Sequence, residues 1–222
     1  MRTFDEILAI VAERKGDLGA LMGAHGTPKS AAEVAAIPDD RWLAEITKRV
    51  FQAGFNWKVV DNMWPGFEEV FFGFDTGRCE MLNDDDLARL VSDKRIVRNG
   101  QKIRAVQQNA AFINELAAAH GSAGAFFAGW PTEDYVGLLA VLKKRGARLG
   151  GASGQYVLRF SGVDSFILSK DVTARLIAEG VVDKAPTSAK AMDAVQDAFN
   201  EWRRQSGRSL TEISRALAFS IG

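Results

Sequence analysis

Along most of this chain the apolar positions return every three or four residues, the spacing of one buried helix face. Phe4, Ile7, Leu8 and Val11 form the first such stripe, and Trp42, Leu43, Ile46 and Val50 the second. Asp39 and Asp40, just after Pro38, mark the start of the second helix, because carboxylates suit a helix N-terminus. The same spacing predicts helices over Asn83–Val91, Gly100–Ala119, Thr132–Lys144, Asp171–Ala178, Ser188–Gln205 and Leu210–Ile221. No stretch sustains the alternation of a half-buried strand. The short β-branched or aromatic runs Val70–Phe74 and Tyr156–Phe160 sit beside helical patterns and are read as buried helix turns. The expected fold class is all-α.

Two segments break the pattern. Residues 15–38 are rich in Gly, Ala and Ser and contain a His-Gly-Thr-Pro turn at His25–Pro28, so they read as a loose connection after an N-terminal helix. The expected division is residues 1–38 for that helix and connection, and 39–222 for the main helical domain. Gly146–Gly154 packs four glycines between the basic helix end Lys143-Lys144-Arg145 and the run beginning at Tyr156.

Composition narrows the chemistry. The 222 residues carry 28 Lys+Arg against 28 Asp+Glu, so any nucleic-acid contact must come from a local basic face. One cysteine, Cys79, and two histidines, His25 and His120, are too few for a zinc site of the usual Cys/His kinds, and neither a metal nor another cofactor is expected. No run reaches the roughly 20 apolar residues of a membrane span, and the N-terminus lacks a signal-peptide pattern. A cytoplasmic location and no membrane partner are the expectations.

The glycine segment carries the first chemical signal. Leu149-Gly150-Gly151-Ala152-Ser153-Gly154 is similar to the helix-hairpin-helix signature of DNA repair glycosylases, with Gly150 in the proline place and Ser153 in that of the second glycine. At about residues 146–157, hairpin amides and a helix N-terminus would point at one phosphate, and glycine would let the backbone approach it. The alternative reading is a helix C-cap followed by an ordinary loop.

Four further blocks follow in order: Gln52-Ala53-Gly54-Phe55-Asn56-Trp57, the Phe-rich 67–74, the segment 90–103 containing Ile96-Val97-Arg98 and Lys102-Ile103, and Leu142-Lys143-Lys144-Arg145-Gly146. They resemble the DNA-3-methyladenine glycosylase I family over roughly residues 40–180. The resemblance implies the two-lobed all-α helix-hairpin-helix glycosylase fold. It also implies a substrate, double-stranded DNA with a damaged base, acted on by a monomer at the nucleoid. Trp57 falls on the family's pocket aromatic, which stacks against the extruded base. Gln52, Gly54 and Asn56 surround it, and Trp64, seven residues on, is a second candidate or a core residue. Gly151, Ala152, Ser153 and Gly154, with Arg98, Lys102 and Arg104, are the expected phosphate contacts, unless those cations line a solvated helix face.

The departures are as informative. The family's base-reading glutamate falls at Arg49, and a guanidinium cannot accept a hydrogen bond from an adenine amino group. Either Arg49 turns to the surface and another group reads the base, or the preferred lesion is different. The family's zinc-binding Cys and His are missing, and the N-terminal helix with the C-terminal pair is expected to tie the ends together instead. Asp171 opens a helix at about the distance from the hairpin where the wider superfamily carries its catalytic aspartate. It is the first candidate to orient the attacking water; Asp164, nearer the hairpin, is the second, and a helix-dipole partner is the plain alternative. No lysine follows the hairpin, so a monofunctional glycosylase removing an alkylated, 3-methyladenine-like purine is expected. The rival expectation is a catalytically inactive DNA-binding or damage-sensing module on the same fold.

Overall fold

The computed structural model describes residues 1–22 and 27–221; His25 lies outside them. The described residues form fourteen α-helices and no strand. In order these are α1 (Phe4–Lys15), α2 (Leu18–Met22), α3 (Ala31–Ala35), α4 (Asp39–Gln52), α5 (Trp57–Val70), α6 (Thr76–Glu80) and α7 (Asp84–Ser92). They continue as α8 (Gly100–His120), α9 (Ala123–Ala128), α10 (Tyr135–Arg145), α11 (Ala152–Ser161), α12 (Lys170–Ala178), α13 (Ala189–Ser206) and α14 (Leu210–Phe219). The all-α expectation holds, and the predicted helices recur within a few residues of their expected bounds, while α5 and α11 are not among them. The connection after α1 contains two short helices, α2 and α3, α3 being opened by a capping box between Ser30 and Glu33. Among the described residues no helix is long and apolar enough to cross a membrane.

The chain divides into two compact units, one of residues 30–129 and 139–157, the other of 1–29, 130–138 and 158–222. The first is built on α8, which packs against α4, α6, α7 and α9. Its core gathers Leu43, Phe51, Val60, Phe67, Phe71, Phe74, Leu87, Ile96, Ile103 and Val106. Burial of such side chains stabilises by roughly 1.5–3 kcal/mol each, so this core fixes where the ends of α4 and α5 lie. Cys79 sits inside it, its thiol donating to the Phe71 carbonyl at 3.3 Å and pushed up to about 12 by burial. That thiol is a packing residue.

The run Val70–Phe74 differs from expectation. Val70 ends α5, but Phe72, Gly73 and Phe74 have φ of 58°, 65° and 64°, a left-handed turn that non-glycine residues adopt only under constraint. The constraint is visible: Phe74 is fully buried, and Arg41 Nη2 donates to the Gly73 carbonyl at 2.5 Å.

In the second unit α1, α13 and α14 pack on one another and α14 packs on α12. Tyr135, Phe166, Phe199 and Trp202 form a chain of aromatic contacts with centroids 4.3–5.8 Å apart. The ends of the chain are held here by polar contacts. Arg2 donates to Glu179 through its backbone N and its Nη1, both at 2.8 Å. Arg175 bonds Glu179 and both the hydroxyl and carbonyl of Ser220, and Trp202 Nε1 donates to the Arg2 carbonyl. The N-terminal segment and the C-terminal helices thus meet through a buried arginine–glutamate network.

Candidate functional site

Of the sequence candidates in the first unit, Arg49, Gln52, Asn56, Trp57 and Trp64 lie on α4, α5 and the turn between them. The two helices are joined by the short turn 53–56, whose Asn56 side chain accepts from the Lys58 amide at 3.0 Å and so caps α5. Asn56 is therefore committed to starting the helix that begins at Trp57. Trp57 itself is 38% exposed, a large exposure for an indole. Its ring meets Tyr156 of α11 edge-on at 5.3 Å, and the Arg49 guanidinium lies 5.4 Å from its centroid. An aromatic ring held from two sides yet open to solvent can serve as a stacking face for a flat ligand.

Trp64 has a different place. It stacks with Phe67 and Phe74, both at 5.3 Å, and its Nε1 donates to Glu68 at 3.1 Å. Its ring belongs to the aromatic wall of the core, the second of its two sequence readings.

Arg49 does not turn to the surface. It is 7% exposed, ion-paired with Glu45 one helical turn back, and it donates to Gln52 Oε1 at 2.6 Å. Gln52, 2% exposed, passes the contact on: its Nε2 donates to Asp61 Oδ1 at 3.2 Å, and Lys48 Nζ reaches the same oxygen at 2.9 Å. Lys48 also lies over the Trp64 ring, and Arg41 pairs with Glu68 further along. The result is a ladder of alternating charges and rings between α4 and α5. Residues 57, 61, 64 and 68 share a helix face by their three- and four-residue spacing, and that spacing was the available signal for Asp61 and Glu68.

Lys102 departs from its expected role. It is 7% exposed, and its ammonium donates to the carbonyls of Phe51 at 3.1 Å and Ala53 at 2.8 Å. Burial, and then the charge of Arg148, pull its pKa below the ordinary lysine value. Helix C-termini leave carbonyls without partners, and Lys102 satisfies those at the end of α4. It holds the turn that leads to Trp57 instead of reaching a phosphate. Arg104 is paired with Asp84 at 2.9 Å, whereas Arg98 is exposed.

The hairpin runs from the end of α10 to the start of α11. Asn109 of α8, 1% exposed, both donates to the Ala147 carbonyl at 3.0 Å and accepts from the Ala147 amide at 2.8 Å. Gly151 has φ of 61°, which glycine adopts without cost, and a Cβ on Gly154 would stand 2.6 Å from the Leu149 carbonyl oxygen. These two positions require glycine, so the turn is built rather than accidental. Gly151 and Ala152 are exposed, Ser153 is partly exposed, and the flanking Lys143, Lys144 and Arg148 are exposed cations.

In the second unit Asp171 lies in the first turn of α12, partly exposed, in a helix capped by Ser169. Asp164 is accounted for otherwise: its two oxygens accept from the amides of Leu210 and Thr211 at 3.1 and 2.9 Å, opening α14. Among the described residues no group of three or more His, Cys, Asp or Glu stands close enough to hold a metal ion.

The family model described as methyladenine glycosylase matches residues 34–136. Three solved structures share the fold. A tyrosine-to-phenylalanine variant of 3-methyladenine DNA glycosylase I in complex with 3-methyladenine is 19% identical, with a TM-score of 0.51 over 57% of this chain and 80% of its own. A Staphylococcus aureus structure concerned with 3-methyladenine recognition by the same enzyme is also 19% identical, with a TM-score of 0.51 over 70% and 91%. A glutamate-to-glutamine variant of the Staphylococcus aureus enzyme is 17% identical, with a TM-score of 0.53 over 81% and 98%. No curated protein matches the chain.

Proposed function

We propose that this chain, whose residues 34–136 match the methyladenine glycosylase family model, removes a 3-methyladenine-like alkylated purine from DNA by hydrolysis. The observation that carries the proposal is Trp57. An exposed indole, braced by Tyr156 and Arg49 at the start of α5, offers the π-face that an extruded base needs in exchange for its neighbours in the duplex. The alternative of an inactive binding module is not favoured, because both the family and the structural relatives are glycosylases.

Double-stranded DNA with one damaged base is the proposed substrate, bound by a monomer in the cytoplasm. The amides of Gly151, Ala152 and Ser153 and the side chains of Lys143, Lys144 and Arg98 are the proposed phosphate contacts, supported by the left-handed Gly151 and the exposure of those cations; Gly154, also expected to contribute, is buried against Leu142 and Leu149. Alkylation makes the purine a good leaving group: the C1′–N bond breaks with its electron pair going to the base, and water forms the new bond at C1′. We propose Asp171 as the carboxylate that orients that water and takes its proton. Its support is its place in the first turn of α12, while Asp164 is engaged in a helix cap.

The test is an oligonucleotide duplex carrying a single alkylated adenine, incubated with the protein and then treated with alkali. Cleavage at that position, reduced at least a hundredfold in Asp171→Asn, is the expected result. Salt-sensitive duplex binding without cleavage would overturn the enzymatic reading, and cleavage unchanged in the variant would overturn the assignment of Asp171.

A further inference from the structure

The α4–α5 ladder leaves one polar atom over. Lys48 Nζ and Gln52 Nε2 both bind Oδ1 of Asp61, at 2.9 and 3.2 Å. Oδ2 has no hydrogen-bond partner among the described residues, and the side chain is 47% exposed. Trp57 stands four residues earlier on the same helix, a spacing that puts the two side chains on one face. An ionised carboxylate can only accept hydrogen bonds. With Oδ1 anchored twice, the carboxylate is held in one orientation, and Arg49 in turn fixes Gln52. The free oxygen is a pre-oriented acceptor beside an open aromatic face.

We infer that Asp61 reads the donor edge of the base that stacks on Trp57, a duty Arg49 cannot perform. This rests on the reading of Trp57 as the base platform. The ligand class is a purine with an exocyclic amino group: the N–H donates to Oδ2, while a keto purine would bring a carbonyl oxygen against the carboxylate. Glu45, Lys48, Arg49 and Asp61 sum to no net charge, so the site does not repel a cationic alkylated base. Charge-assisted bonds of this kind are about twice as strong as neutral ones.

The experiment is calorimetric titration of the whole protein with two free bases, 3-methyladenine and 3-methylhypoxanthine, which carries a carbonyl in place of the amino group. Asp61→Asn keeps an oxygen for Lys48 and Gln52 while placing an N–H at the free position. Wild type is expected to bind 3-methyladenine at least tenfold more tightly than 3-methylhypoxanthine, and Asp61→Asn to lose that preference. Equal affinity of wild type for the two bases, or an unchanged preference in the variant, overturns the assignment of Asp61; the wild-type comparison stands even if the variant fails to fold. Loss of 3-methyladenine binding in Trp57→Ala as well as Asp61→Asn supports both readings, whereas a wild type that cleaves alkylated duplex yet shows no base preference removes Asp61 alone.

Discussion

Arg49 donates to the amide oxygen of Gln52 at 2.6 Å, three residues further along the same helix, and by doing so turns the Gln52 NH2 towards Asp61. One guanidinium therefore sets the orientation of a polar chain that ends beside Trp57. Replacing Arg49 with Met removes the partner of Glu45 and leaves Gln52 Oε1 unsatisfied in a nearly closed site. The expected loss is about 2 kcal/mol of stability, read as a lower urea midpoint at unchanged slope.

Lys102 makes the next prediction because its ammonium caps the α4 carbonyls. Lys102→Met should lower the melting temperature while leaving the salt dependence of duplex binding as it was. Lys144→Ala should do the reverse, with stability unchanged and the slope of log affinity against log salt reduced by about 1. Equal salt slopes for Lys144→Ala and wild type would remove the hairpin cations from the DNA interface.

The terminal network predicts an acid limit. Burial pushes the Glu179 carboxyl up, but the backbone and guanidinium hydrogen bonds from Arg2 outweigh it and hold it below its ordinary value of 4.5. A lowered folded pKa gives stability that is complete above the unfolded value and lost as pH falls below it. Unfolding free energy should therefore decline as pH drops from about 5 towards 3, and Glu179→Gln should flatten that decline. The same variant weakens the charge partner of buried Arg175, so it should cost about 3 kcal/mol at neutral pH.

Trp57→Phe keeps a smaller ring and Trp57→Ala removes it. Stacking a base on an aromatic is worth about 1–3 kcal/mol, so excision by Trp57→Ala should fall by roughly 5- to 160-fold and that by Trp57→Phe by less. Single-turnover rates on alkylated duplex give the comparison.

Much of the fold was legible because its long helices keep an uninterrupted apolar stripe; α4 and α8 are examples. α5 was obscured by Pro65-Gly66 inside it, where the local signal argues for a break and packing of Phe67 and Val70 against the core prevails. The left-handed turn at Phe72–Phe74 was hidden because its cause, Arg41, comes from another helix. At the site, Trp57 and the hairpin glycines stand out through their likeness to the family's sequence blocks, and Trp57 is indeed exposed. The role of Lys102 was not legible, since a cation on a helix looks solvent-facing until the end of α4 is known to lie against it. Tyr156 was masked in the same way, reading as one more apolar residue of α11 although it braces Trp57.

The measurement that bears most directly on the central claim is chromatographic release of free base from methylated duplex DNA. Wild type is expected to liberate 3-methyladenine, with release at least about fivefold slower in Trp57→Ala. Absence of free base from wild type under conditions where it binds the same duplex would contradict the account.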